Sequence, residues 1–152
     1  MIEVEVEETA WTDALPDAAA VAERAATAAL GGHPRTGDVV ILLTGDAEVA
    51  ALNSRYRGKD QPTNVLSFPA ADMPQPGQPR HLGDLVLALG TCAAEAREQG
   101  KTLGDHLSHL TVHGVLHLLG RDHDDDGEAE AMEAEERAIL ASLGVSDPYQ
   151  AR

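Results

Sequence analysis

The stretch that most restricts how this chain can fold runs from Thr102 to His123, TLGDHLSHLTVHGVLHLLGRDH. Thr102, with Asp105 three residues on, reads as a capping-box variant that opens a helix. That helix continues through the histidines to Gly120. Four residues turn about 400° on a helix, so His117 stands nearly above His113, ~6 Å along the axis. Two imidazoles placed this way can reach one metal ion at ~2.0–2.1 Å per bond. A third ligand eight residues on would lie ~12 Å up the helix, beyond the same ion. It has to come from chain that has left the helix and turned back. Gly120 accepts the positive φ that such a turn needs, and His123 then closes the set.

His106 and His109 share roughly the same face. A His109/His113 pair is equally good on helix geometry, but it leaves His117 and His123 unexplained and needs a third ligand from elsewhere. The set His113, His117 and His123 is therefore preferred, with the upstream pair lining the cleft or supporting the ligands. Three neutral nitrogen ligands with an open fourth position suit a catalytic zinc, one per chain. Nickel, copper or iron could bind the same donors. The spacing is shared with the metzincin proteases, which carry a glutamate directly after the first histidine as general base. Here that position is Gly114, which argues against proteolysis. Asp122 is a weak candidate for the base. The run Asp124-Asp125-Asp126 reads as a solvated helix start, favoured by the helix dipole.

Elsewhere the pattern alternates strands and helices. Ile2 to Val6 alternates apolar and acidic residues, as a half-buried strand does. Pro16 opens an alanine-rich helix that runs to Leu30 and stops at Gly31-Gly32. Asp38 to Thr44 is a buried strand, and Asp46 can cap a short helix through about Asn53. SRYRGKDQPTN is polar, with glycine and proline, and reads as a loop. Val65 to Phe68 and Leu85 to Leu89 are short strands, separated by the proline-rich loop Ala71 to Arg80. Thr91 can cap a helix ending near Gly100. A last helix, about Asp126 to Leu143, buries Met132, Ile139 and Leu140. The expected fold is α+β: one domain over residues 1–152, a small sheet of four strands packed with about five helices, and a metal site at the end of a helix.

The net charge of −15 opposes broad attraction to nucleic acid or to an anionic membrane, although Arg55, Arg57 and Lys59 form a local basic cluster. Aromatic residues make up only 3%, so the core has to be built from Leu, Val, Ile and Ala. The single cysteine, Cys92, suits a reducing compartment. The N-terminus does not read as a signal peptide, and no run approaches the ~18 apolar residues of a membrane helix. These features lead us to expect a cytoplasmic protein.

Three motifs carry a family resemblance. HGVLHLLGRDH, with NSRYRGKDQPTNVLSFP from Asn53 to Pro69 and LGDLVLAL from Leu82 to Leu89, resembles the YbeY family of single-strand endoribonucleases in order and separation. The resemblance implies an α+β fold with one bound zinc on His113, His117 and His123. It implies a cytoplasmic role in ribosomal RNA maturation, chiefly at the small-subunit 3′ end, and in ribosome quality control. The partners implied are single-stranded RNA, ribosomal RNA and the small ribosomal subunit, with neither DNA nor membrane. It maps the family's functionally important arginine onto Arg57, which a diester phosphate would meet as a two-pronged donor. Lys59 is a further substrate contact. Where the family usually has tyrosine, this chain has Arg121. The rival readings are a zinc-dependent peptidase-like hydrolase and a non-catalytic ribosome assembly factor with a structural metal.

Overall fold

The computed structural model describes residues 2–31, 37–58, 63–70, 81–120 and 125–149. Lys59, the loop 71–80, Arg121, Asp122, His123 and Asp124 lie outside the described residues, as does the side chain of Arg57.

The sheet grows from the alternation at the N-terminus. In β1, Ile2–Val6, the three apolar side chains turn inward and the two glutamates face solvent. β2, Asp38–Thr44, pairs with it in parallel, Ile2 opposite Val39. β4, His81–Ala88, runs parallel to β2, and β3, Val65–Pro69, lies antiparallel on its far side, so the order is β1-β2-β4-β3. β4 is an inner strand with apolar neighbours on both faces, which is why seven of its eight residues are buried or half-buried.

Two helices join β1 to β2. α1, Ala10–Ala14, is a five-residue turn anchored by Trp11, whose buried indole Nε1 donates to the Thr44 carbonyl at 2.8 Å. α2, Ala18–Leu30, presents a stripe of alanines to the core. The main core lies between one sheet face, with Val39, Ile41, Leu43, Leu85 and Leu87, and helices α2, α5 (Leu103–Leu118) and α6 (Asp126–Ser142). A smaller cluster of Val49, Leu66, Val86 and Ala88 sits on the opposite face, under α3, Asp46–Arg57. α4, Leu89–Gln99, follows β4 directly and buries Cys92 and Ala96. The α+β class and the four strands agree with expectation. Six helices, rather than about five, are found among the described residues.

Three local readings are corrected. The polar segment after Asn53 is helical as far as Arg57, because its outward side chains face solvent and Gly58 closes the helix by donating to Ser54 and Asn53 carbonyls. Polarity there marks an exposed helical face. The strand expected at Leu85 begins at His81, so Asp84 lies within β4 and pairs with His81 at 3.1 Å. Finally, neither Asp46 nor Thr91 caps its own helix. Asp46 is the first residue of α3, and its Oδ1 accepts from the Thr91 amide at 2.9 Å, so it caps α4 across the fold.

Candidate metal centre

α5 is the buried spine of the molecule. Thr102 caps it as expected, its hydroxyl accepting from the Asp105 amide at 3.1 Å. Ten of its sixteen residues are buried. Gly114 touches the sheet, where a Cβ would meet Leu85 Cδ2 at 2.7 Å. A glutamate at this position would have to displace the Leu85 side chain, and its Cβ would point into the sheet. Beyond Leu118 the helix ends, and Gly120 takes φ of 94°, so the turn expected there is present.

The histidines form one row along the remaining face of α5. Successive ring centroids from His106 through His109 and His113 to His117 lie 6.2, 6.3 and 4.6 Å apart. The Nε2 atoms of His113 and His117 face each other at 3.0 Å. Two ligands bound at ~2.0–2.1 Å around a tetrahedral ion have nitrogens roughly 3.3 Å apart, so the pair is spaced to hold one ion with little movement. Among the described residues, no three His, Cys, Asp or Glu side chains converge on one point. His123, the third member of the expected set, lies outside them.

Behind His113 stands a residue that the sequence reading passed over. Glu136 of α6 is fully buried, and its Oε1 lies 2.5 Å from His113 Nδ1. Its Oε2 accepts from the Tyr149 hydroxyl and lies 3.3 Å from His109 Nε2. Burial, the largest influence, opposes ionisation of this carboxyl. The hydrogen bonds from His109, His113 and Tyr149 outweigh it and bring the pKa down to about 2. Burial, then the Glu136 carboxylate, pushes the Tyr149 hydroxyl far above the usual tyrosine range, so it remains a donor. The available signal was positional. Met132, Glu136 and Leu140 recur every four residues and occupy the buried stripe of α6. An acid in such a stripe needs a partner inside.

The upstream histidines have separate partners. His106 Nε2 donates to Glu95 Oε1 at 2.9 Å, and the same oxygen accepts from Asn64 Nδ2 at 3.0 Å. Burial, the largest influence, lowers the pKa of His106 despite that carboxylate. Asn64, Glu95, Lys101, His106, His109 and Tyr149 line a cleft of about 470 Å³ one helical turn from the His113/His117 pair. The upstream pair thus lines a cleft, and His109 also supports the carboxylate behind His113.

Arg57 is the last residue of α3, on the sheet face opposite α5. The described residues bring His113 and His117 together. They do not bring Arg57 to them. Asn64, seven residues after Arg57, lines the cleft shared by His106 and His109. Cys92 is buried, its thiol pushed up to about 12 by burial and then by the Glu95 and Asp46 charges, so it is a packing residue.

Comparisons with known proteins agree with this picture. A family model described as Endoribonuclease YbeY matches residues 3–144. A protein of Paramagnetospirillum magneticum named Endoribonuclease YbeY is 56% identical over 155 residues, covering 97% of this chain and 94% of its own length. One of the same name from Azorhizobium caulinodans is 53% identical over 152 residues, covering 97% and 95%. The solution structure of TM1509 from Thermotoga maritima shares the fold, with a TM-score of 0.56 at 24% identity over 99% of this chain and 100% of that one.

Proposed function

The chain belongs to the YbeY endoribonuclease family, and we propose that it cuts single-stranded RNA at a zinc centre held by His113, His117 and His123. The carrying observation is the His113/His117 pair, with Nε2 atoms 3.0 Å apart and a buried carboxylate behind the first ring. Neutral imidazoles backed by carboxylates are the donor chemistry zinc takes. When bound, zinc supplies Lewis acidity to a phosphodiester oxygen.

The protein's own groups bind and orient the RNA. A chain of net charge −15 repels RNA at long range, so binding depends on a few local cations. Arg57, with Lys59 close by in sequence, is the choice for the phosphate, because a guanidinium grips two phosphate oxygens and fixes the diester's direction. Gly114, packed against Leu85 where a metzincin carries its glutamate, supports the nuclease reading over the peptidase one. The setting that fits is cytoplasmic maturation of ribosomal RNA on the small subunit, chiefly at its 3′ end. Among the described residues no helix is long and apolar enough to cross a membrane.

The test is a cleavage assay on a defined RNA, offered single-stranded and as a duplex, beside casein, with His117→Ala purified in parallel. The single strand should be cut, the duplex and casein should survive, and His117→Ala should be inactive. Casein cleavage that disappears in His117→Ala would establish the peptidase instead. Equal RNA cleavage by His117→Ala would assign the activity to a contaminant.

A further inference from the structure

Glu136 is fully buried, and its carboxyl meets three polar partners: the Tyr149 hydroxyl, which donates to Oε2, His109 Nε2 at 3.3 Å and His113 Nδ1 at 2.5 Å. An ionised carboxylate can only accept. At 2.5 Å from Glu136 Oε1, His113 Nδ1 is placed to be the donor to it. A neutral ring with its proton on Nδ1 has its lone pair on Nε2, the atom that faces His117. The carboxylate thus selects which nitrogen of His113 is left unprotonated to ligate.

The last donor comes from the C-terminal turn. Asp147 accepts from the Tyr149 amide at 2.8 Å and pairs with Arg137 Nε at 3.2 Å. Arg137 also lies over the Tyr149 ring, 5.6 Å from its centroid. These contacts fold residues 145–149 back onto α6 and deliver the tyrosine hydroxyl to Glu136, while the Tyr149 ring meets His109 edge to face at 5.5 Å.

We propose that Glu136 is the positioning residue of the metal centre, that it holds His113 in the tautomer with Nε2 unprotonated, and that Tyr149, carried in by the C-terminal turn, is required for that hold. This inference rests on the three-histidine reading above. Metal affinity then depends on Tyr149, 32 residues beyond the last helical ligand His117, through a chain of two hydrogen bonds. Removing a carboxylate that stands behind a histidine ligand weakens metal binding by about 10–100-fold. Without Tyr149, the carboxylate loses a donor but keeps both histidines, so the effect is smaller.

The experiment uses the full chain. Zinc affinity is measured by competition with a chelator, and the histidine ring nitrogens are observed by nitrogen-15 NMR in the zinc-free protein at neutral pH. The variants are Glu136→Gln, which keeps an accepting oxygen without the charge, Glu136→Met, which keeps the length without an acceptor, and Tyr149→Phe. Wild type should show His113 protonated at Nδ1. Affinity should fall by roughly tenfold or more in Glu136→Met, less in Glu136→Gln and less again in Tyr149→Phe, with the His113 tautomer mixed in the methionine variant. If Glu136→Met does not fold, the other two variants carry the comparison. Wild-type affinity in both Glu136→Gln and Tyr149→Phe, or a wild-type His113 protonated at Nε2, overturns the proposal. Wild type that binds no zinc while His113 is protonated at Nδ1 removes the three-histidine reading and leaves the carboxylate's hold on the ring intact.

Discussion

Replacing Gly83 with alanine should destabilise this protein more than any change of similar size at an ordinary glycine. Gly83 is where β3, β4 and the end of α5 meet. A Cβ there would stand 2.5 Å from Leu118 Cδ2, 2.6 Å from the Phe68 carbonyl oxygen and 3.1 Å from Pro69 Cα. The leucine can rotate, but the other two atoms are backbone of the paired strand and cannot. They must retreat by roughly 0.6 Å or more, an overpacking worth about 1–3 kcal/mol. The φ of +157° adds strain of about 1–3 kcal/mol for a residue with a side chain. The sum, about 2–6 kcal/mol, is a large part of the ~5–15 kcal/mol that holds a domain together. At about 4 kcal/mol the melting temperature falls by roughly 10 °C for a chain of this size. Gly104→Ala is the control. Its nearest neighbour is Leu15 Cδ1 at an ordinary 3.7 Å, and alanine gains up to ~1 kcal/mol in helix propensity. Urea unfolding should show the midpoint falling in Gly83→Ala and holding or rising in Gly104→Ala, with unchanged slopes. A Gly83→Ala protein within about 1 kcal/mol of wild type would refute the packing argument.

Three other outcomes are expected. Arg57→Glu should abolish RNA cleavage, and Arg57→Lys should lose roughly tenfold, consistent with one charge-assisted contact of about 1.5 kcal/mol, while zinc content and melting temperature stay at wild type; wild-type turnover by Arg57→Glu removes Arg57 from the site. The Cys92 thiol, pushed up to about 12, should resist a thiol reagent in the folded protein at mildly alkaline pH and react on unfolding, so fast labelling of folded protein contradicts its burial. His106, with its pKa lowered chiefly by burial, binds its proton more weakly folded than unfolded. The neutral ring's contribution to stability is therefore complete above the unfolded value of about 6.5 and declines as pH falls below it. The unfolding free energy of His106→Gln should decline less than that of wild type between about pH 7 and pH 5, and equal slopes refute the assignment.

What could be read from the sequence depended on whether the cause lay nearby in the chain. The cap at Thr102, the turn at Gly120 and the facing of His113 and His117 are set within a few residues, and each is found. β1 and β2 were legible from alternation and from an apolar run. α1 was missed because five residues make no periodic pattern, and its stability comes from burying Trp11 against Thr44. Asp46 was assigned to the wrong helix because its partner, Thr91, lies 45 residues away. The end of α3 read as loop because polar residues suit an exposed helical face equally well. In the site, the facing of His113 and His117 follows from their four-residue spacing on one helix. Glu136 was visible only as an acid in an apolar stripe, and nothing local in the sequence names His113 as its partner.

The measurement that tests the central claim most directly is zinc content after purification under identical conditions, for wild type, His109→Ala and His123→Ala. His109 stands in the row but contacts Glu136 and Tyr149, whereas His123 is the residue expected to close the set beyond Gly120. Wild type and His109→Ala should carry about one zinc per chain, and His123→Ala should carry almost none. Loss of zinc in His109→Ala with retention in His123→Ala would contradict the account.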